Sequence, residues 1–107
     1  MNLNIDRESG LQELILFVRD QIREHKKIIT RETSIEDDLG VTGEEAVELL
    51  DAFTRKFNVE IGNFDFNKYF NDEPFGLTFA RKLSPFTIGH LEKAMIAGKL
   101  DEEVINS

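Results

Sequence analysis

The run from Thr42 to Phe57 constrains the fold of this chain more than any other feature, because it joins a helix-start pattern to an apolar stripe of helical period. The spacing of Thr42 and Glu45 predicts a capping box, in which the Thr42 hydroxyl accepts from the Glu45 backbone N–H and the Glu45 carboxylate accepts from the Thr42 N–H. Apolar side chains then recur at helical spacing, at Ala46, Val47, Leu49, Leu50, Phe53 and Phe57. This pattern predicts an amphipathic helix that packs one face on a core.

Two further helices are predicted, one on each side of this run. Helical spacing predicts a first helix from about Glu8 to Lys26, with an apolar stripe formed by Leu11, Leu14, Ile15, Val18 and Ile22. A last helix is predicted between a capping Thr87 and a terminating Gly98, with its stripe formed by Ile88, Leu91 and Met95. The two ends of the chain, residues 1–7 and 101–107, are expected to be loose.

Aliphatic residues outside the predicted helices are expected to close over the same core. Ile28, Ile29 and Ile35 lie in the connection before the central helix, and Val59 and Ile61 follow that helix. All five are expected to point inward.

The segment from residue 62 to residue 86 is rich in aromatic residues. It holds Phe64, Phe66, Phe70, Phe75, Phe79 and Phe86, together with Tyr69, the only tyrosine. The spacing of Phe66, Tyr69 and Phe70 predicts a short helical turn, and the conformation of residues 71–86 stays open, with a loop favoured over a short strand. The predicted fold is therefore all-α: one domain spanning residues 1–107, with three main helices, a short helical turn and an aromatic-rich insert before the last helix.

The charge of the chain is strongly negative and unevenly distributed. Its formal net charge of −8 disfavours binding to nucleic acid or to an anionic membrane surface. Seven acids and no base lie between Glu36 and Asp51, whereas basic residues form a strip along and after the first helix (Arg19, Arg23, Lys26, Lys27 and Arg31). The absence of cysteine and of a recognisable secretory signal favours a cytoplasmic protein.

No arrangement of residues in the sequence indicates catalysis or metal binding. Asn63, Asp65 and Asn67 alternate like calcium ligands, but Lys68 occupies the glycine position that a calcium loop requires. His25 and His90 fall on different predicted helices without a partner at ligand spacing. We therefore expect a non-enzymatic protein without a metal site.

One stretch of the chain resembles a known family. Asp38-Leu39-Gly40, then Gly43, Val47-Glu48-Leu49, Phe57 and Glu60-Ile61 are similar, without a gap, to the central segment of acyl carrier proteins, which reads E-D-L-G-x-D-S-L-x-x-V-E-L and continues to F and E-I. More narrowly, Thr42-Gly43-Glu44-Glu45-Ala46, residues 63–70 and residues 87–91 resemble a group of uncharacterised acyl-carrier-like bacterial proteins. The resemblance implies a small helical bundle.

The resemblance also implies how the chain departs from a working carrier. The serine that carries phosphopantetheine in the family aligns with Gly43, which has no side-chain oxygen, so the prosthetic group is expected to be absent. Carrier proteins engage their enzymes through an acidic second helix, which implies a surface for a basic protein partner formed by Asp37, Asp38, Glu44, Glu45 and Glu48. Two alternatives stay open: a solvated acidic face with no partner, and non-covalent binding of an acyl chain or other apolar molecule beside Phe64, Phe66 and Phe70.

Overall fold

The computed structural model describes residues 3–70 and 84–106, and the elements within these ranges are mostly helical. In chain order they are α1 (Leu3–Ile22), α2 (Gly43–Phe57), β1 (Glu60–Ile61), α3 (Phe66–Tyr69), α4 (Ile88–Ala97), β2 (Lys99–Leu100) and α5 (Glu102–Ile105). The three main helices and the short helical turn are confirmed. The prediction for residues 71–83, including Phe75 and Phe79, lies outside the described residues.

The bounds of α1 differ from the prediction at both ends. The helix begins at Leu3 instead of Glu8, and it ends at Ile22 instead of Lys26. It ends there because Arg23 adopts a left-handed backbone with φ of 59°, which stops the helical hydrogen-bond pattern. Its predicted apolar stripe is confirmed, since Leu11, Leu14, Ile15 and Val18 are buried and Ile22 packs against the core.

The predicted start of α2 is confirmed, but the predicted capping interaction is wrong. Thr42 is the N-cap residue with φ of −150°, but its side chain makes no cap hydrogen bond. Its hydroxyl donates to the carboxylate of Glu36, six residues earlier. The predicted capping box with Glu45 is absent. The helix ends at Asn58, whose left-handed backbone (φ of 55°) directs its N–H to the carbonyl of Thr54.

Three aliphatic residues that were expected in the core are exposed. Val47 is 52% exposed, Ile61 57% and Ile28 85%, whereas Ile29 and Val59 are buried as predicted. Val47 follows buried Ala46 by one residue, and one step rotates the side chain by roughly 100° around the helix axis, out of the apolar stripe.

The connection between α1 and α2 is anchored to the start of α4. The backbone N–H of Ile35 donates to the carbonyl of Phe86 at 2.8 Å, and the N–H of Ile88 donates to the carbonyl of Thr33 at 3.0 Å. Gly89 allows this approach, because a Cβ atom there would lie 3.2 Å from the carbonyl oxygen of Arg31. Ile35 is fully buried as a result.

The C-terminal residues are more ordered than the sequence analysis expects. β2 pairs in parallel with β1, with Glu60 opposite Lys99 and Ile61 opposite Leu100, which adds a small sheet that the all-α prediction lacks. After it, the carboxylate of Asp101 accepts from the N–H of Val104 at 2.9 Å and caps α5. Since Ile105 is only 2% exposed, residues 101–106 are part of the packed domain and are not a loose tail.

Candidate functional site

The five acidic residues predicted to bind a partner all have exposed side chains. We call them the acidic surface: Asp37 and Asp38 in the loop before α2, and Glu44, Glu45 and Glu48 on the first two turns of α2. Carboxylates near the N-terminus of a helix are stabilised by the helix dipole, which offsets part of their mutual repulsion.

The loop part of the acidic surface is held in place by Ser34. The carboxylate of Asp38 accepts from the Ser34 backbone N–H at 2.7 Å, and the Ser34 hydroxyl accepts from the Asp37 N–H at 3.1 Å. Gly40 then turns the chain with φ of 72°, and the Val41 N–H donates to the Ile35 carbonyl at 3.1 Å. One of the five predicted residues, Asp38, thus also has a structural role.

Val47 lies among the carboxylates of α2. Glu44 is three residues before it, Glu48 follows it, and Asp51 is four residues after it, all exposed. Residues three and four apart on a helix are neighbours, so this half-exposed aliphatic side chain has the carboxylates of Glu44 and Asp51 beside it. Asp51 also pairs with Arg55 at 3.4 Å. The sequence pattern predicted that Val47 is buried, so this surface residue was not among the predicted site residues.

The residue that the resemblance aligns with the phosphopantetheine serine has an unusual backbone. Gly43 is the first residue of α2, and its φ is 58°. This left-handed conformation costs a residue with a Cβ roughly 1–2 kcal/mol. Replacing Gly43 by serine would therefore introduce backbone strain as well as a hydroxyl group.

The predicted basic strip is divided by the structure. Arg31 forms a two-point ion pair with Glu92, with Nε–Oε1 at 2.6 Å and Nη2–Oε2 at 3.0 Å, and Arg19 donates to the carbonyl of Glu24 at 3.3 Å. Three of the five bases remain in the exposed turn after α1. We call the segment from Arg23 to Ile28 the basic turn, in which Arg23, His25, Lys26, Lys27 and Ile28 are all exposed.

The basic turn contacts the loop that carries the acidic surface. The carboxylate of Glu24 accepts from the backbone N–H groups of Lys26 and Lys27 at 3.1 and 3.2 Å, and these bonds lower the pKa of Glu24. The ammonium group of Lys27 donates to the carbonyl of Asp38 at 3.0 Å. The two surfaces of opposite charge therefore lie side by side.

The aromatic segment packs on itself. Phe86 contacts four rings at centroid distances of 5.3–5.6 Å, namely Phe64, Tyr69, Phe70 and His90. Phe66 stacks on Phe70 at 5.0 Å, and Phe70 is fully buried. An open groove of the domain lies elsewhere, between α4 and α5, where Ile96, Lys99 and Val104 contribute to its lining.

Three polar contacts of Glu102 that the sequence did not predict join the C-terminal elements to the rest of the domain. Glu102 accepts from the Tyr69 hydroxyl at 2.7 Å, from the Lys68 ammonium group at 3.0 Å and from the Asp65 N–H at 3.1 Å. Burial raises the pKa of Glu102, but hydrogen bonds from these three groups outweigh it and the pKa is lowered. Glu102 is the middle of three consecutive acids, Asp101-Glu102-Glu103, and nothing in that run distinguishes it for such a role.

His90 contributes to the N-terminal cap of α4, which the sequence predicted from Thr87 alone. The Nδ1 atom of His90 accepts from the Thr87 backbone N–H at 3.0 Å, and the His90 backbone N–H donates to the Thr87 hydroxyl at 3.3 Å. Together these bonds form a capping box at the start of α4. Burial, with a smaller contribution from Lys93, lowers the pKa of His90. The structure thus uses His90 as a neutral hydrogen-bond acceptor. The other histidine, His25, lies beyond the end of α1 and not on a helix.

Neither a metal site nor a membrane helix is found in residues 3–70 and 84–106. These residues contain no group of three or more histidine, aspartate or glutamate side chains placed to hold a metal ion. Within the same ranges, every helix is too short or too polar to cross a membrane.

Comparison with known proteins gives a match at the level of a family. The model of a family described as a protein of unknown function, DUF1493, matches residues 11–100, from within α1 to the end of β2. No curated protein and no solved structure shows a significant match. The matched span contains the whole acidic surface and the basic turn.

Proposed function

Because the chain belongs to the DUF1493 family, whose function is unknown, we propose a function from its surface: it is an unmodified, non-enzymatic, acyl-carrier-like protein that binds a basic protein partner. The acidic surface makes the contact, and Val47 is the apolar centre of the interface. The proposal of a carrier-like protein rests on the resemblance of residues 33–61 to acyl carrier proteins. The interaction rests on one observation, the exposed valine among the carboxylates of α2.

This arrangement suits recognition because its two parts contribute differently. Carboxylates attract and orient a basic partner, which increases the rate of association more than the affinity. An aliphatic side chain at the centre of the contact contributes binding free energy through removal of apolar surface from water. Fixed loop geometry, set by Ser34, keeps Asp37 and Asp38 in position before the partner arrives.

The interaction is tested by photo-crosslinking in cells. A photoreactive amino acid at position 47 should give a discrete crosslinked product. Reversing Glu44, Glu45 and Glu48 to lysine in the same chain should abolish that product while leaving the folded structure intact. The matched control reverses three exposed acids elsewhere, Asp20, Glu32 and Glu60, and should retain the product. Equal crosslinking by both variants would refute the role of the acidic surface.

The absence of modification is tested separately. Co-expression with a broad-specificity phosphopantetheinyl transferase should leave the intact mass of the chain unchanged, because Gly43 offers no oxygen for the phosphodiester. A pantetheine adduct on Thr42 or on any serine would overturn this part of the proposal.

A further inference from the structure

Ile28 is the most exposed large aliphatic residue among the described residues, with 85% of its surface accessible. Its position is fixed on both sides: the Glu24 carboxylate holds the two preceding N–H groups, and the next residue, Ile29, is buried in the core. The side chain therefore cannot turn inward without breaking these contacts. An isoleucine held in water in this way forgoes a favourable burial that a contact with another molecule would supply.

The charges around Ile28 specify the kind of surface that could cover it. Arg23, Lys26 and Lys27 are exposed on the same turn, so the complementary surface is acidic with an apolar centre. The acidic surface around Val47 on α2 has this composition. The chain therefore carries both halves of one complementary pair.

The two halves are placed so that two identical chains can use both at once. The basic turn and the acidic loop are neighbours, joined by the 3.0 Å contact between the Lys27 ammonium group and the Asp38 carbonyl. A two-fold axis between neighbouring patches sets the basic turn of each copy against the acidic surface of the other, which is the geometry of an isologous dimer. In such a pair, Ile28 of one copy meets Val47 of the other, and the contact occurs twice.

We infer that the basic partner of the acidic surface is a second copy of this chain, bound through its basic turn in a two-fold symmetric dimer. This inference rests on the proposed function, because it names the partner of the same surface. A nucleic acid would meet Asp37 and Asp38 directly beside the basic turn and be repelled by them. The net charge of −8 opposes self-association at long range, but at physiological salt charges beyond roughly 8 Å are largely screened, so the contacting groups dominate.

The size of the two surfaces predicts a weak dimer. With Val47 they contain eleven exposed residues per copy (Arg23, His25, Lys26, Lys27, Ile28, Asp37, Asp38, Glu44, Glu45, Val47 and Glu48). Stable interfaces use roughly 20–30 residues on each side. The equilibrium is therefore measured by sedimentation equilibrium up to millimolar protein, where the mean mass should rise from 12.3 kDa towards twice that value.

A charge-swap experiment tests the pairing. Two variants, Lys26→Glu/Lys27→Glu and Glu44→Lys/Glu48→Lys, should each be monomeric alone. Their equimolar mixture should form a heterodimer, because the first variant carries acids on both the basic turn and the acidic surface and the second carries bases on both. Asp20→Lys/Glu60→Lys, which changes the charge equally elsewhere, should dimerise like the unaltered chain. Far-UV circular dichroism confirms that each variant is folded.

The apolar contact has its own test. Ile28→Ser should raise the dissociation constant about tenfold or more, because the dimer loses two aliphatic contacts. Leu16→Ser removes another exposed aliphatic residue, 60% exposed on α1, and should leave the constant unchanged. A chain that stays monomeric at every concentration, or a mixture that fails to pair, overturns the inference. The crosslink from position 47 to a different protein would then still support the proposed function.

Discussion

Replacing Tyr69 by phenylalanine tests how α5 is attached to α3. The change removes only the hydroxyl that donates to Glu102 at 2.7 Å and leaves the buried ring in place. Hydrogen bonds to charged groups contribute about 1.5–3 kcal/mol, and the lower end applies because Glu102 keeps its bonds to Lys68 and the Asp65 N–H. We expect the free energy of unfolding to fall by about 1.5 kcal/mol, which lowers Tm by roughly 6 °C or more in a domain of this size.

The pH dependence of the same variant supplies the second readout. The pKa of Glu102 is lowered in the folded protein, so its hydrogen bonds contribute stability above its ordinary value of 4.5, and this contribution is lost as the pH falls through the folded pKa. Urea unfolding at pH 7 should therefore show the full difference between Tyr69→Phe and the unaltered chain, and the difference should shrink as the pH falls below 4.5 and through the lowered pKa of Glu102.

A double-mutant cycle with Glu102→Gln checks that the effect belongs to this pair. The coupling free energy between the two changes should be about 1 kcal/mol, since the side chains are in contact. A loss below about 0.5 kcal/mol at pH 7 would contradict the assignment of a charge-assisted bond. A loss of stability of equal size at pH 7 and at a pH below the lowered pKa of Glu102 would show that the loss does not depend on the Glu102 carboxylate.

Five further substitutions probe other parts of the domain. Gly43→Ser should lower the free energy of unfolding by about 1–2 kcal/mol because φ is positive there, and Gly40→Ala, at φ of 72° with open space around it, should cost about as much; chemical denaturation measures both. Because the pKa of His90 is lowered in the folded protein, its contribution to the free energy of unfolding is complete above pH 6.5 and is lost as the pH falls below that value. His90→Gln, which keeps a hydrogen-bond acceptor, should therefore make the free energy of unfolding depend less on pH between pH 7 and 5. Phe86→Ala should cost about 3–5 kcal/mol through its four lost ring contacts and leave the chain close to unfolding by circular dichroism, whereas half-buried Phe17→Ala should cost less.

The sequence predicted the elements whose signals are local and periodic. The stripe of Leu11, Leu14, Ile15 and Val18 and the capping pattern of Thr87 with Gly98 each require only neighbouring residues, and both are confirmed. The position of the acidic surface was likewise readable from a run without bases. Its binding role stays a prediction.

Features that depend on contacts between residues far apart in the sequence could not be predicted from it. The Thr42 hydroxyl donates to the carboxylate of Glu36, and no spacing rule shows that a loop returns to bring Glu36 there. The exposure of Ile28 follows from hydrogen bonds that fix the preceding residues, since hydrophobicity alone favours burial. A two-residue parallel strand pair leaves no alternating pattern, so β1 and β2 were also missed.

The ion pair of Arg31 with Glu92 joins residues 61 positions apart in the sequence, and the neighbouring backbone hydrogen bonds to Phe86 and Ile88 join residues with similar sequence separations. During synthesis α2 and its glutamates leave the ribosome well before α4, so the connection with Asp37 and Asp38 lacks its bonds to the start of α4 until that helix has emerged. We expect a nascent chain to present the helical half of the acidic surface first. The loop half would reach its final position only after α4 has packed.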